Sequence, residues 1–250
     1  FMTILLLGDL TGRSRVALRM LTFELEKRGH EVLMLPTALI SNTLNLGRAA
    51  MLDTTDYLME SLETWKSLGL SYDLVYIGYV TGLAQAEKLC RVADDARAHG
   101  VPVVVDPILG DNGRRYNSVT TEQVEAMKRL IGHADVMTPN LTEACLLADV
   151  PCEHADWQKL MDRLSENGAS VLITSAGDAV VGVDARTGMR FNIPFERVPG
   201  EHWGTGDRFC ALLLDGLAHK MPFDRAAKRA SDGVYEALKT ENPANPIDKV

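Results

Sequence analysis

Trp203-Gly204-Thr205-Gly206-Asp207-Arg208-Phe209 opens a run of small and apolar residues that continues to Leu217. Glycines on both sides of Thr205 let consecutive backbone N–H groups converge on one point. The helical character of the run behind them puts that point at a helix N-terminus, where the dipole favours negative charge. Asp207, one residue further, would face an oxygen attacking a phosphate held there, and a general base in that place contributes roughly 10²- to 10⁴-fold in rate. The same residues also make a plain glycine turn, with Asp207 favoured in the first helical turn by the dipole alone. The surrounding chain has to decide between these two readings.

Working outward, short β-branched or Leu-rich runs alternate with amphipathic stretches of helical length, the pattern of βαβ units around a mostly parallel sheet. Strands are predicted at residues 3–7, 31–35, 74–77, 101–106, 136–138 and 171–174, with helices at 14–28, 54–67, 82–99, 121–132, 141–148 and 156–167. Arg28-Gly29, His99-Gly100 and Asn167-Gly168 each place a glycine where a left-handed residue closes a helix. Runs at 179–184 and 189–193 read as a β-hairpin, and helices return at 206–219 and 222–239. The expected fold is a single α/β domain over residues 2–240, a three-layer α/β/α sandwich, with a loose tail at 241–250 that carries two prolines and little apolar content.

In open α/β sheets ligands bind beyond the carboxyl ends of the strands, and polar segments gather there in this chain. Residues 8–12 follow the first strand, 106–113 the fourth, 140–143 the fifth and 174–178 the sixth. Asp111-Asn112-Gly113 is also a good turn, Asn140 with Glu143 is also a helix capping box, and Thr174-Ser175 could simply close a strand. Glu143 and Asp111 offer the oxygen ligands that Mg²⁺ takes directly or through water, with Asp106 in support.

Three segments together resemble the ribokinase superfamily, and within it the pyridoxal (vitamin B6) kinases. Trp203 to Phe209, followed by Ala211-Leu212-Leu213-Leu214, is similar to the superfamily signature. Asp106-Pro107-Ile108-Leu109-Gly110-Asp111-Asn112-Gly113, with Tyr116 beyond it, is similar to the Asp-Pro-Val-Met-Gly-Asp-Asn-Gly segment of the pyridoxal kinases. Thr138-Pro139-Asn140-Leu141-Thr142-Glu143 resembles the Asn-x-x-Glu element. The resemblance, from about Leu5 to Leu217, implies a ribokinase-like fold and an ATP-dependent kinase with an alcohol acceptor. It implies Asp207 as the base and the amides of Gly204, Thr205 and Gly206 as the anion hole. Asp111, Asn140, Thr174 and Ser175 would lie at the ATP phosphates, and Glu143, Asp106 and Asp111 near Mg²⁺, with room for a monovalent cation. A homodimer is also implied.

The acceptor implied is the 5′-hydroxymethyl group of a pyridoxal-like ring, held by Asp9, Ser41, Thr43 and Tyr79. Hydroxymethylpyrimidine kinases, the near alternative, usually differ after Asp-Pro. The pocket departs from the pattern: where the family commonly reads Ser-x-His-Thr-Gly, the chain reads Ser41-Asn42-Thr43-Leu44-Asn45, and Arg208 replaces an apolar residue. Those departures keep a hydroxymethylpyrimidine or other small-alcohol kinase, and a catalytically silent B6- or nucleotide-binding protein, as alternatives.

Composition limits the rest. A net charge of −8 argues against a nucleic-acid surface and requires an anionic substrate to be held by local amides and a metal. The apolar run at residues 4–7 is too short for a signal peptide or a spanning helix, so no membrane partner and a cytoplasmic location are expected. Cys90, Cys145, Cys152 and Cys210 show no C-x-x-C or zinc spacing and read as free thiols.

Overall fold

A computed structural model describes residues 1–43, 48–200 and 202–240. In chain order the first half forms β1 (Thr3–Thr11), α1 (Leu18–Glu26), β2 (Glu31–Ile40), β3 (Met51–Asp53), α2 (Thr55–Ser67), β4 (Leu74–Ile77), α3 (Leu83–Ala98), β5 (Val103–Val105), β6 (Gly110–Asp111), β7 (Arg114–Arg115) and α4 (Thr121–Ile131). The second half forms β8 (Val136–Met137), α5 (Leu141–Ala148), α6 (Trp157–Ser165), β9 (Ser170–Ile173), β10 (Ala179–Val183), β11 (Arg190–Pro194), α7 (Thr205–Ala218) and α8 (Phe223–Thr240).

Nine strands form one sheet in the order β11-β10-β9-β8-β5-β4-β1-β2-β3. The six from β9 to β2 in that order run parallel, and β10, β11 and β3 add antiparallel edges. Alternation along the central strands sends Leu5, Leu7, Val75 and Ile77 to one face, under α2 to α6, and Ile4, Leu6, Leu74 and Tyr76 to the other, under α1, α7 and α8. The molecule is therefore the three-layer α/β/α domain expected. Residues 241–250, read as a tail, lie outside the described residues.

Several boundaries differ from the sequence expectation. Residues 8–11, read as a loop, continue β1, and β2 runs on past Pro36. The cause is a bulge: Gly8 pairs with Pro36 and Asp9 with Ala38, so Thr37 is left over. Its polar groups are used elsewhere, the carbonyl accepting from Gln85 Nε2 and the hydroxyl donating to Tyr79 O. The first helix starts at Leu18, four residues later than expected. Strand β3 and the β6–β7 hairpin were not anticipated. The hairpin turns at Asn112 (φ 52°) and Gly113 (φ 75°), the pair of left-handed residues that a two-residue loop requires. Among the described residues no helix is long and apolar enough to cross a membrane.

Candidate active site

The carboxyl ends of the parallel strands open into a cleft of about 1150 Å³. It brings together Asp9, Thr43, Asp106, Asp111, Asn140, Glu143, Thr174, Ser175 and Gly204 to Asp207 from the residues singled out in the sequence. Ser41 and Tyr79 do not line it.

At the floor, Gly204 adopts φ 72°, ψ 13° and begins α7 without a side-chain cap. A left-handed N-cap favours glycine, and the Arg15 carbonyl stands 3.1 Å from where a Cβ would project. The next amides have no partner within the helix and face the cleft as the positive end of its dipole. A Cβ at Gly206 would meet nothing within 4 Å, so the approach over this turn is open.

Asp207 Oδ2 accepts from the Ala17 amide at 2.8 Å. Burial raises its pKa and that hydrogen bond opposes the rise. Two further carboxylates sit near it. Asp9, next to the bulge, is pushed to about 7 by burial and then by the charge of Asp207. Asp106 also reaches about 7 from burial, with the Asp207 charge adding to the rise. Hydrogen bonds from Thr138 Oγ1 (2.8 Å) and Tyr76 Oη (3.0 Å) pull it back. Like charges crowded in a low-dielectric floor resist simultaneous ionisation.

Along one wall, Asn140 and Glu143 form the capping box of α5. They also fasten the β6–β7 hairpin: Asn140 Nδ2 donates to Gly110 O at 2.8 Å, and Glu143 Oε1 accepts from the Leu109 amide at 3.2 Å. Burial, then Asp106, drives the Glu143 pKa well up, against three backbone amides that lower it. Asp111 is exposed on the hairpin, with its carboxylate accepting from Asn112. Ser175 Oγ accepts from the Leu141 amide at 3.3 Å, beside Thr174 at the end of β9.

At the β1–β2 end the hydroxyls of Thr11 and Thr43 are buried, line the cleft and have no hydrogen-bond partner among the described residues. Leu44 and Asn45, where the sequence departs from the family pattern, lie outside the described residues. Ser41 is exposed, its hydroxyl donating to Asn42 Oδ1 at 2.6 Å and accepting from the Ala50 amide at 2.9 Å. Tyr79 is packed with Ala38 and Ile40, and its hydroxyl accepts from Gln123 Nε2 at 2.7 Å. Both were read as substrate contacts, and in this structure their hydroxyls are engaged with Asn42, Ala50 and Gln123. The opposite end of the cleft is formed by residues 195–200, by His202 and Trp203, and by the α8 side chains Val234, Tyr235 and Leu238. Tyr235 Oη donates to Glu196 Oε2 at 2.9 Å and joins these two parts.

The phosphomethylpyrimidine kinase family matches residues 33–248. The chain belongs to that family. Among relatives, a pyridoxine/pyridoxal/pyridoxamine kinase of Bordetella bronchiseptica is 28% identical over 240 residues, covering 86% of this chain and 81% of the relative. The pyridoxal kinase of Lactobacillus plantarum has a TM-score of 0.85 at 29% identity, covering 96% and 88% of the two chains. That of Leishmania donovani, solved with ADP and pyridoxamine, has a TM-score of 0.80 at 25% identity, covering 95% and 86%. The chain spans 48% of the length of one further curated relative.

Within this family frame, four contributors had escaped the sequence reading. Ala17 offers only a backbone amide, Thr11 was assigned to a loop, and Tyr76 and Thr138 act through Asp106. Extending β1 by the two-residue alternation from Asp9 would have found Thr11. The donor set of Asp106, Asp111 and Glu143 is all oxygen, which suits Mg²⁺, an ion that takes few carboxylates and keeps waters.

Proposed function

We infer that the protein transfers the γ-phosphoryl group of Mg·ATP to the 5′-hydroxymethyl group of pyridoxal or a related B6 vitamer. The observation that carries this reading is Asp207, held by the Ala17 amide beside the open N-terminal turn of α7. With Oδ2 engaged by Ala17, Oδ1 is left to accept the proton of the acceptor alcohol as its oxygen attacks phosphorus. The amides of residues 204–207 stabilise the charge developing on the transferred group. Thr174 and Ser175, with Asn140, stand on the phosphate side.

Among the described residues six carboxylates line the cleft against one arginine, Arg197, which pairs with Asp178. A polyphosphate therefore enters with a divalent cation, and Asp111 and Glu143, supported by Asp106, are the residues that would hold it. Mg²⁺ supplies charge neutralisation between the phosphates. Asp9 and the partnerless hydroxyls of Thr11 and Thr43 receive the polar edge of the ring, and the nucleotide lies toward α8. A relative solved with ADP and pyridoxamine supports a cleft that takes both a nucleotide and a vitamer.

The same reading places a homodimer in the cytoplasm. It is supported by exposed Leu39, Met51 and Leu52 on the β2–β3 edge and exposed Tyr57 on α2, and by four free cysteines. ATP consumption with pyridoxal, pyridoxine, pyridoxamine and hydroxymethylpyrimidine tests the acceptor. The reading expects turnover with a vitamer; turnover with the pyrimidine alone would reassign it.

A further inference from the structure

Arg208, the residue after the proposed base, is buried and directs Nε to Oε1 of buried Glu24 on α1 at 3.1 Å. Arg28 engages the other oxygen of Glu24. A buried ion pair is weak support for stability, because a well-packed apolar pair does as well or better. What it supplies is direction. Consecutive residues of α7 grip α1 at two points: Asp207 takes the amide of Ala17, and Arg208 takes Glu24, seven residues on and about 10 Å along a helix. Ala17 has φ 49°, ψ −135°, which a residue with a side chain keeps only where its surroundings enforce it. The segment before it also bears on the anion-binding turn, through the approach of Arg15 O to Gly204.

We propose that Glu24 and Arg208 are a positioning pair for phosphoryl transfer, fixing α1 along α7 so that the Ala17 amide stays on Asp207 and the Gly204 turn keeps its shape. Neither side chain lines the cleft; both act through Ala17 and Asp207. The proposal rests on the reading of Asp207 as the base.

Steady-state kinetics and thermal unfolding of three variants test it. Glu24→Gln removes one charge and keeps the shape and an acceptor. The double variant Glu24→Leu/Arg208→Leu leaves neither charge of the pair buried alone, and Arg28, which is partly exposed, can turn to solvent. The double variant should unfold at or near the wild-type temperature, while kcat falls about 10- to 100-fold, the scale on which a misplacement of about 1 Å slows a reaction. KM for ATP and for the alcohol should stay where they are. Glu24→Gln should show the same split more weakly. A pair that only stabilises would shift the unfolding temperature and leave kcat alone; wild-type kcat in the folded double variant overturns the proposal. If the double variant does not fold, Glu24→Gln decides by the same criterion. Asp207→Asn separates the two ideas: wild-type turnover there removes the base reading, whereas loss there with wild-type kcat in the pair variants removes only the positioning role.

Discussion

The amide nitrogen of Ala17 lies 2.8 Å from Oδ2 of Asp207, across 190 residues of sequence. The contact joins the turn after β1 to the turn before α7 and sets the orientation of a carboxylate at the floor of the cleft. Its donor residue sits at φ 49°. A conformation of this kind costs about 1–3 kcal/mol in a residue with a side chain. Glycine adopts it freely and gives back roughly 0.5–1 kcal/mol in chain entropy. Ala17→Gly is therefore expected to leave the melting temperature unchanged or raise it; a marked drop would show that the strain is not there.

The position of Tyr79 gives a second test. Its hydroxyl accepts from Gln123 outside the cleft, so Tyr79→Phe should cost about 0.5–1.5 kcal/mol of stability and leave KM for the alcohol unchanged. A large rise in KM measured alongside an unchanged denaturation midpoint would place the hydroxyl on the substrate after all.

The crowded carboxylates make stability depend on pH. Asp9 and Asp106 have folded pKa values raised from 3.8 to about 7, through burial first. Between those values the folded state holds protons that the unfolded chain has released. Stability therefore falls as pH rises from about 4 to 7, by at most on the order of 1.4 kcal/mol per unit for each group. Below that window the penalty is absent, and above it the penalty is complete. Melting temperatures of ligand-free protein should drop between pH 5 and 7.5, and Asp9→Asn should flatten the slope. An unchanged slope in that variant would exclude Asp9 as a source.

The β6–β7 hairpin has its own probe. A Cβ at Gly110 would collide with the Arg114 carbonyl oxygen, so Gly110→Ala must open the hairpin and shift Asp111. Overpacking of this kind costs about 1–3 kcal/mol. Activity should fall by more than the loss of folded protein accounts for, with a higher Mg²⁺ requirement.

The parts of this site that were legible in the sequence are those built from local chemistry. Gly204 and Gly206 announce the helix turn by themselves, and Asn140 with Glu143 announces a cap. Asn112-Gly113 read correctly as a turn, but the strands beside it are two residues each and leave no periodicity to see. Thr11 was hidden because Gly8 and Asp9 have turn chemistry and so ended the expected strand at residue 7, whereas β1 continues through them to Thr11. Ala17 was invisible for a different reason: a backbone amide carries no residue signature, and its partner lies at the far end of the chain. The orientation of Tyr79 was not legible, because the end of a strand fixes a residue's place but not which way its ring turns.

The most direct test of the central claim is turnover by Asp207→Asn with Mg·ATP and pyridoxal, measured beside ATP binding. The asparagine keeps an acceptor for the Ala17 amide and loses the base. The account predicts a kcat at least about 10²-fold lower, with ATP still bound. Turnover near the wild-type rate would contradict it.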